Sequence, residues 1–65
     1  MTYSEIKNLR KSYGISQIKL AEASGFSPAR ISSWERKKSI PSECDINIVK
    51  KAIDDIIFKF FMLQR

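Results

Sequence analysis

A chain of 65 residues with one cysteine and no histidine excludes an internal disulfide and the common zinc ligand sets, and a domain this short buries only about 60% of its unfolded surface. Helical packing, self-association or both must supply its stability, and no metal or cofactor is expected. The net charge of +5 lies in residues 1–40, which hold eight basic against three acidic groups, while residues 41–65 hold four of each; a basic half beside a neutral, apolar half suits a polyanion-facing surface and a separate packing surface.

Ile6, Leu9 and Tyr13 fall on one helical face and predict a first helix over about 4–13, with Ser4 as its N-cap and Gly14 as the left-handed residue that ends it. Ser16 caps a second helix over about 17–23, closed by Gly25. Ser27 caps a third over about 28–36, with Pro28 at the first position, where a missing N–H costs nothing. Ile31 and Trp34 lie one turn apart and read as core, as does Phe26 in the preceding turn. Arg36-Lys37-Lys38-Ser39-Ile40-Pro41 is a basic connector. Ser42 opens a final segment over about 42–64 with Glu43 and Asp45 in its first turn, and neither Gly nor Pro follows. No strand-like alternation occurs, so the fold class is all-α.

Residues 17–36 carry the functional signal. Two short helices joined by a tight turn containing Gly cross steeply. Ala21 permits the close approach, Gly25 supplies positive φ, and Leu20, Phe26, Ile31 and Trp34 point to the core. Pro28, Ala29, Ser32, Ser33 and Arg36 then lie on the outward face of the second member.

Leu9-Arg10, Gly14-Ile15-Ser16-Gln17, Leu20-Ala21, Gly25-Phe26-Ser27, Ile31-Ser32, Trp34-Glu35 and Pro41 together resemble the Cro and phage-repressor type of helix-turn-helix protein over about residues 5–53. The resemblance implies a compact four- or five-helix, lambda-repressor-like domain spanning 1–65 that binds double-stranded DNA. It implies a recognition helix over Ser27–Ser33 in the major groove, Gln17 near a phosphate and the first base pair, and a structural ion pair between Arg10 and Glu35 with one Arg10 N–H left for phosphate. Pro28 and Ala29 stand where relatives often carry adenine-reading side chains, so direct readout leans on Gln17, Arg30, Ser32 and Ser33, with Ala29 able to touch a thymine methyl. Lys37 replaces the glycine usual after the Trp-Glu pair, which predicts a loop of different shape.

Arg36, Lys37 and Lys38, placed directly after the recognition helix, suit phosphate contacts better than a merely solvated face. Arg30 has three open roles: guanine, phosphate or a partner subunit. Cys44 reads as a half-buried thiol without catalytic use, and Tyr3 and Tyr13 as packing residues.

Ile46, Val49, Ile53, Ile56, Phe60 and Leu63 form a heptad stripe able to cover the body of the domain. Ile57, Phe58, Phe61 and Met62 lie beside it and predict a homodimer interface. Either one long helix or a break near Asp54-Asp55 with a fifth helix folding back fits this segment.

The expected function is a repressor or controller of transcription acting on an inverted-repeat operator. The alternative is an antitoxin-like DNA-binding module whose apolar C-terminus holds a different protein. An enzyme is disfavoured, because no nucleophile–base constellation and no metal cluster is present, and RNA binding is disfavoured because the aromatics fall at core spacings. The longest apolar run, Ile56 to Leu63, is too short for a bilayer and contains Lys59. The first residues lack a signal-peptide pattern, which with a lone cysteine predicts a cytoplasmic protein.

Overall fold

The computed structural model describes residues 2–63 and contains four helices: α1 (Tyr3–Ser12), α2 (Gln17–Ser24), α3 (Pro28–Glu35) and α4 (Glu43–Leu63). No strand occurs among these residues.

Each boundary has a local cause. Ser16 Oγ accepts the Lys19 backbone N–H at 2.9 Å, and Ser27 Oγ accepts that of Arg30 at 3.1 Å, so both predicted caps form. Ser42 and Asp45 bond reciprocally, the Asp45 N–H donating to Ser42 Oγ at 3.1 Å and the Ser42 N–H to Asp45 Oδ2 at 3.4 Å, closing a capping box before α4. Ser4 does not cap α1. That helix starts one residue earlier, after an extended Thr2 whose side chain makes no capping bond.

α1 and α3 end in the same six-residue arrangement. The Ile15 N–H reaches the Arg10 carbonyl and the Gly14 N–H that of Lys11; likewise the Lys38 N–H reaches Ser33 and the Lys37 N–H reaches Trp34. This Schellman pattern requires a left-handed residue at its turn. Gly14 supplies it with φ +67°, and Lys37 supplies it with φ +60°. The loop after α3 therefore keeps the glycine geometry with a lysine in it, contrary to the different shape expected from sequence. A Cβ in that conformation costs about 1–2 kcal/mol. Lys37→Gly is expected to stabilise the protein by about 0.5–1 kcal/mol net of the added chain entropy, raising Tm by about 4 °C in a thermal melt. An unchanged or lowered Tm contradicts the strain.

The core gathers side chains from all four helices and the α1–α2 loop. Ile6, Leu20, Ile31, Val49 and Ile53 are wholly enclosed, and Tyr3, Ile15, Ala21, Trp34 and Ala52 are nearly so. Ala21 is buried on α2, which packs closely on α3 and α4. Trp34 sits between Tyr3 and Phe26, at ring-centroid distances of 5.6 and 5.0 Å. α2 packs on α3 and α4, and α1 packs on the same two; among the described residues α3 and α4 make no close backbone approach.

α4 runs unbroken through Asp54-Asp55, with neither the break nor the fifth helix that the sequence also allows there. No helix breaker is present, and Lys50 pairs with Asp54 one turn on. The molecule measures 39 × 19 × 18 Å, and α4, at about 1.5 Å per residue, spans most of its length. The helix outruns the body it packs on. The heptad stripe is buried at Val49 and Ile53, half-buried at Ile56, and exposed at Phe60 and Leu63.

Candidate nucleic-acid interface

A buried charge cluster holds α3 against the rest of the domain. Arg10 meets Glu35 with both ends of its fork, Nε to Oε2 at 2.7 Å and Nη2 to Oε1 at 2.8 Å. Arg10 Nη1 donates to the Ile15 carbonyl at 2.7 Å, the third of the guanidinium's five N–H groups to find a partner within the protein. The side chains of Arg10 and Glu35 are 11% and 3% exposed. Gln17 Nε2 donates to Glu35 Oε1 at 3.0 Å. One carboxylate thereby ties together α1, the first residue of α2 and the end of α3. Charge-assisted, two-pronged bonds of this kind fix orientation as well as energy.

Tyr3 lies beside this cluster. Its hydroxyl is buried without a hydrogen-bond partner. Desolvation first, then the Glu35 charge, push its pKa up to about 12, against a smaller opposing pull from Arg10. An unfolded tyrosine ionises near 10, so this residue's contribution is intact below pH 10 and is lost as pH rises toward 12. Tyr3→Phe is expected to flatten the alkaline fall in Tm over that window, relative to the parent chain, without destabilising the fold at pH 7. A parallel pair of Tm–pH curves would refute the assignment.

The outward side of α3 is arranged as follows. Pro28, Ala29 and Arg30 are exposed. The Arg30 guanidinium stands 5.8 Å from the centre of the Phe26 ring, which steers it along the helix start. Ser27 is exposed, with its hydroxyl engaged in the cap. Ser32 is half-buried. Ser33 is also half-buried, and its Oγ lies 3.0 Å from Ser39 Oγ in the following loop. Arg36, Lys37 and Lys38 are all exposed. The predicted positions thus fall into two groups. Arg30, Arg36, Lys37 and Lys38 present cations to solvent, whereas Gln17 and Ser33 already have partners inside the chain. Sequence reasoning missed the Ser33–Ser39 pair, which spans a loop and leaves no periodic trace.

At the far end of α4, Phe58, Phe61 and Met62 are 65%, 55% and 51% exposed. Ile57, grouped with them from sequence, instead packs half-buried against the core. Tyr13, expected to be a packing residue, is 38% exposed and meets the Phe61 ring edge-on at 6.0 Å. Phe60 and Leu63, expected to cover the body, join the exposed apolar set. Cys44 is exposed rather than half-buried. Among the described residues no group of side chains is placed to hold a metal ion, and no helix is long and apolar enough to cross a membrane.

A helix-turn-helix family model matches residues 6–43, more than half of the chain. No curated protein and no solved structure gives a match. The matched span contains the ion pair, both members of the crossed-helix unit and the basic loop, and the chain belongs to the Cro and phage-repressor type of helix-turn-helix family, whose members are DNA-binding transcription regulators.

Proposed function

We propose that the protein is a repressor or controller that binds an inverted-repeat operator as a homodimer, with α3 in the major groove and polymerase excluded by occupancy. The carrying observation is the exposed start of α3 at Pro28, Ala29 and Arg30, leading along the helix into three exposed cations at its end. Arg30 reads a base edge or clamps a phosphate, Ala29 meets a thymine methyl, and Arg36, Lys37 and Lys38 hold phosphates. Gln17 and Ser33 contribute through the hydrogen bonds they make at the edge of this surface, with Ser27 and Ser32 flanking it. Under this reading no residue is catalytic and the single domain comprises residues 1–65.

Pairing follows from reach. One recognition helix covers few base pairs, and two-fold pairing places two such helices about 34 Å apart along one face of the duplex. The apolar end of α4, with Phe58, Phe61 and Met62 in water, is the surface for that pairing, and Ile57 supports it from below. Selection of bound sequences from random duplex DNA tests the proposal: two inverted half-sites one helical turn apart are expected, and an asymmetric or unselective result refutes it. Replacing Phe58 and Phe61 together with Ser is expected to give monomers in sedimentation, with helicity retained; a persisting dimer moves the interface elsewhere.

One observation favours the antitoxin-like alternative. Phe58 and Phe60 project from opposite sides of the helix end, and both are exposed, so a flat two-fold contact covers only part of this surface. A chain that aggregates alone and becomes monodisperse only with a different protein would select that reading.

A further inference from the structure

A cavity of about 440 Å³ opens between the first residues of α1, the end of α3 and the connector to α4. Tyr3, Trp34, Ile40, Pro41 and Ile46 give it an apolar lining, and Lys7 and Lys37 add two cations. Its volume falls within the range of small-molecule sites, about 300–1,000 Å³. Three features of this place are unexplained by packing or by DNA contact alone. Ile40 is 92% exposed, although it borders a concave apolar surface. The Tyr3 hydroxyl beneath the surface has no hydrogen-bond partner. The one acidic group of the lining, Glu35, is already neutralised by the two-pronged bond from Arg10, so Lys7 and Lys37 give the lining a net positive charge.

We propose that this cavity binds a small aromatic carboxylate. The charge balance selects an anion. The tilted pair of Tyr3 and Trp34 rings and the bare Ile40 side chain select a flat apolar body. A volume of about 440 Å³ suits a single small molecule. Binding covers Ile40 and brings an anionic oxygen to Lys7 and Lys37. Lys37 also belongs to the basic loop assigned to phosphate, so an occupied cavity withdraws that cation from DNA, and the two ligands weaken each other reciprocally. This coupling rests on the DNA-binding reading; occupancy of the cavity by itself does not.

Trp34 is the only tryptophan of the chain and lines the cavity, so its fluorescence reports binding directly. Phenylacetate is titrated into the full chain, with phenylacetamide as the uncharged counterpart. A saturable change with a dissociation constant of about 1 mM or tighter is expected, and the amide is expected to bind at least about tenfold more weakly. Ile40→Asp, at a position too exposed to disturb the fold, is expected to weaken phenylacetate at least about tenfold by removing apolar cover and adding a like charge. Absence of saturation, equal binding of the amide, or undiminished binding to Ile40→Asp with helicity intact overturns the site. In a separate measurement, saturating phenylacetate is expected to lower affinity for a random-sequence duplex about threefold. Unchanged affinity there overturns the coupling alone, and failure of the duplex to bind at all overturns the DNA reading alone.

Discussion

Arg10→Ala is expected to lower stability by about 3–5 kcal/mol, because it leaves the Glu35 carboxylate buried without its cation. Glu35 is 7% exposed and accepts from both Arg10 and Gln17. Removing the guanidinium also releases the Ile15 carbonyl, and with it a tie on the loop that leads into α2. Domains in general have about 5–15 kcal/mol in total, and a chain this short belongs near the lower end. The variant should therefore be largely unfolded at moderate temperature, seen as loss of helical circular dichroism and a collapsed denaturation midpoint. The double substitution Arg10→Met with Glu35→Leu discriminates the cause. Replacing both charges with apolar groups of similar bulk is often close to neutral, so recovery of most of the stability is expected. If the double variant is as unstable as Arg10→Ala, the loss comes from packing or from the Ile15 bond rather than from an orphaned charge.

The combined substitution Arg36→Ala, Lys37→Gly and Lys38→Ala is expected to leave the fold intact and to weaken duplex binding at every sequence alike. All three side chains are exposed. Glycine at position 37 suits the left-handed backbone there, where φ is +60°. Each phosphate contact contributes about 0.9 to the slope of log affinity against log salt, so loss of three reduces that slope by about 2.7. Fluorescence anisotropy of a labelled duplex at several salt concentrations measures it. A slope within error of the parent value would mean that these cations point away from the duplex.

Much of the fold could be read from residue type and spacing because its causes are local. Ser16 and Ser27 announce helix starts by their hydroxyls, Gly14 and Gly25 announce ends by their freedom at positive φ, and Ile31 with Trp34 declares a buried face by its spacing. The parts that escaped depend on something outside the local window. The stripe from Ile46 to Leu63 says which side of α4 faces the body but not where the body stops, so spacing alone does not separate the exposed Phe60 and Leu63 from the buried Val49 and Ile53. The Lys37 turn keeps its shape because the Ser33 and Trp34 carbonyls hold it from the helix side, a constraint that outweighs the preference of one side chain. The pairing of Arg10 with Glu35 followed from family resemblance, since 25 residues separate them and no local pattern links them. The engagement of Gln17 with that pair and of Ser33 with Ser39 changes which groups stand ready at the outer surface. Such pairings depend on side-chain positions in three dimensions.

The separation of α3 from α4 has a further consequence. Both helices rest on α1 and α2 and make no close backbone approach to each other. Changes at exposed positions more than about 7–10 Å apart with no shared partners tend to add in free energy rather than interact. A lineage can therefore alter the outward residues of α3, and so the nucleotide address it answers to, without disturbing the exposed apolar end of α4. The converse holds for variation at the aromatic tip of α4.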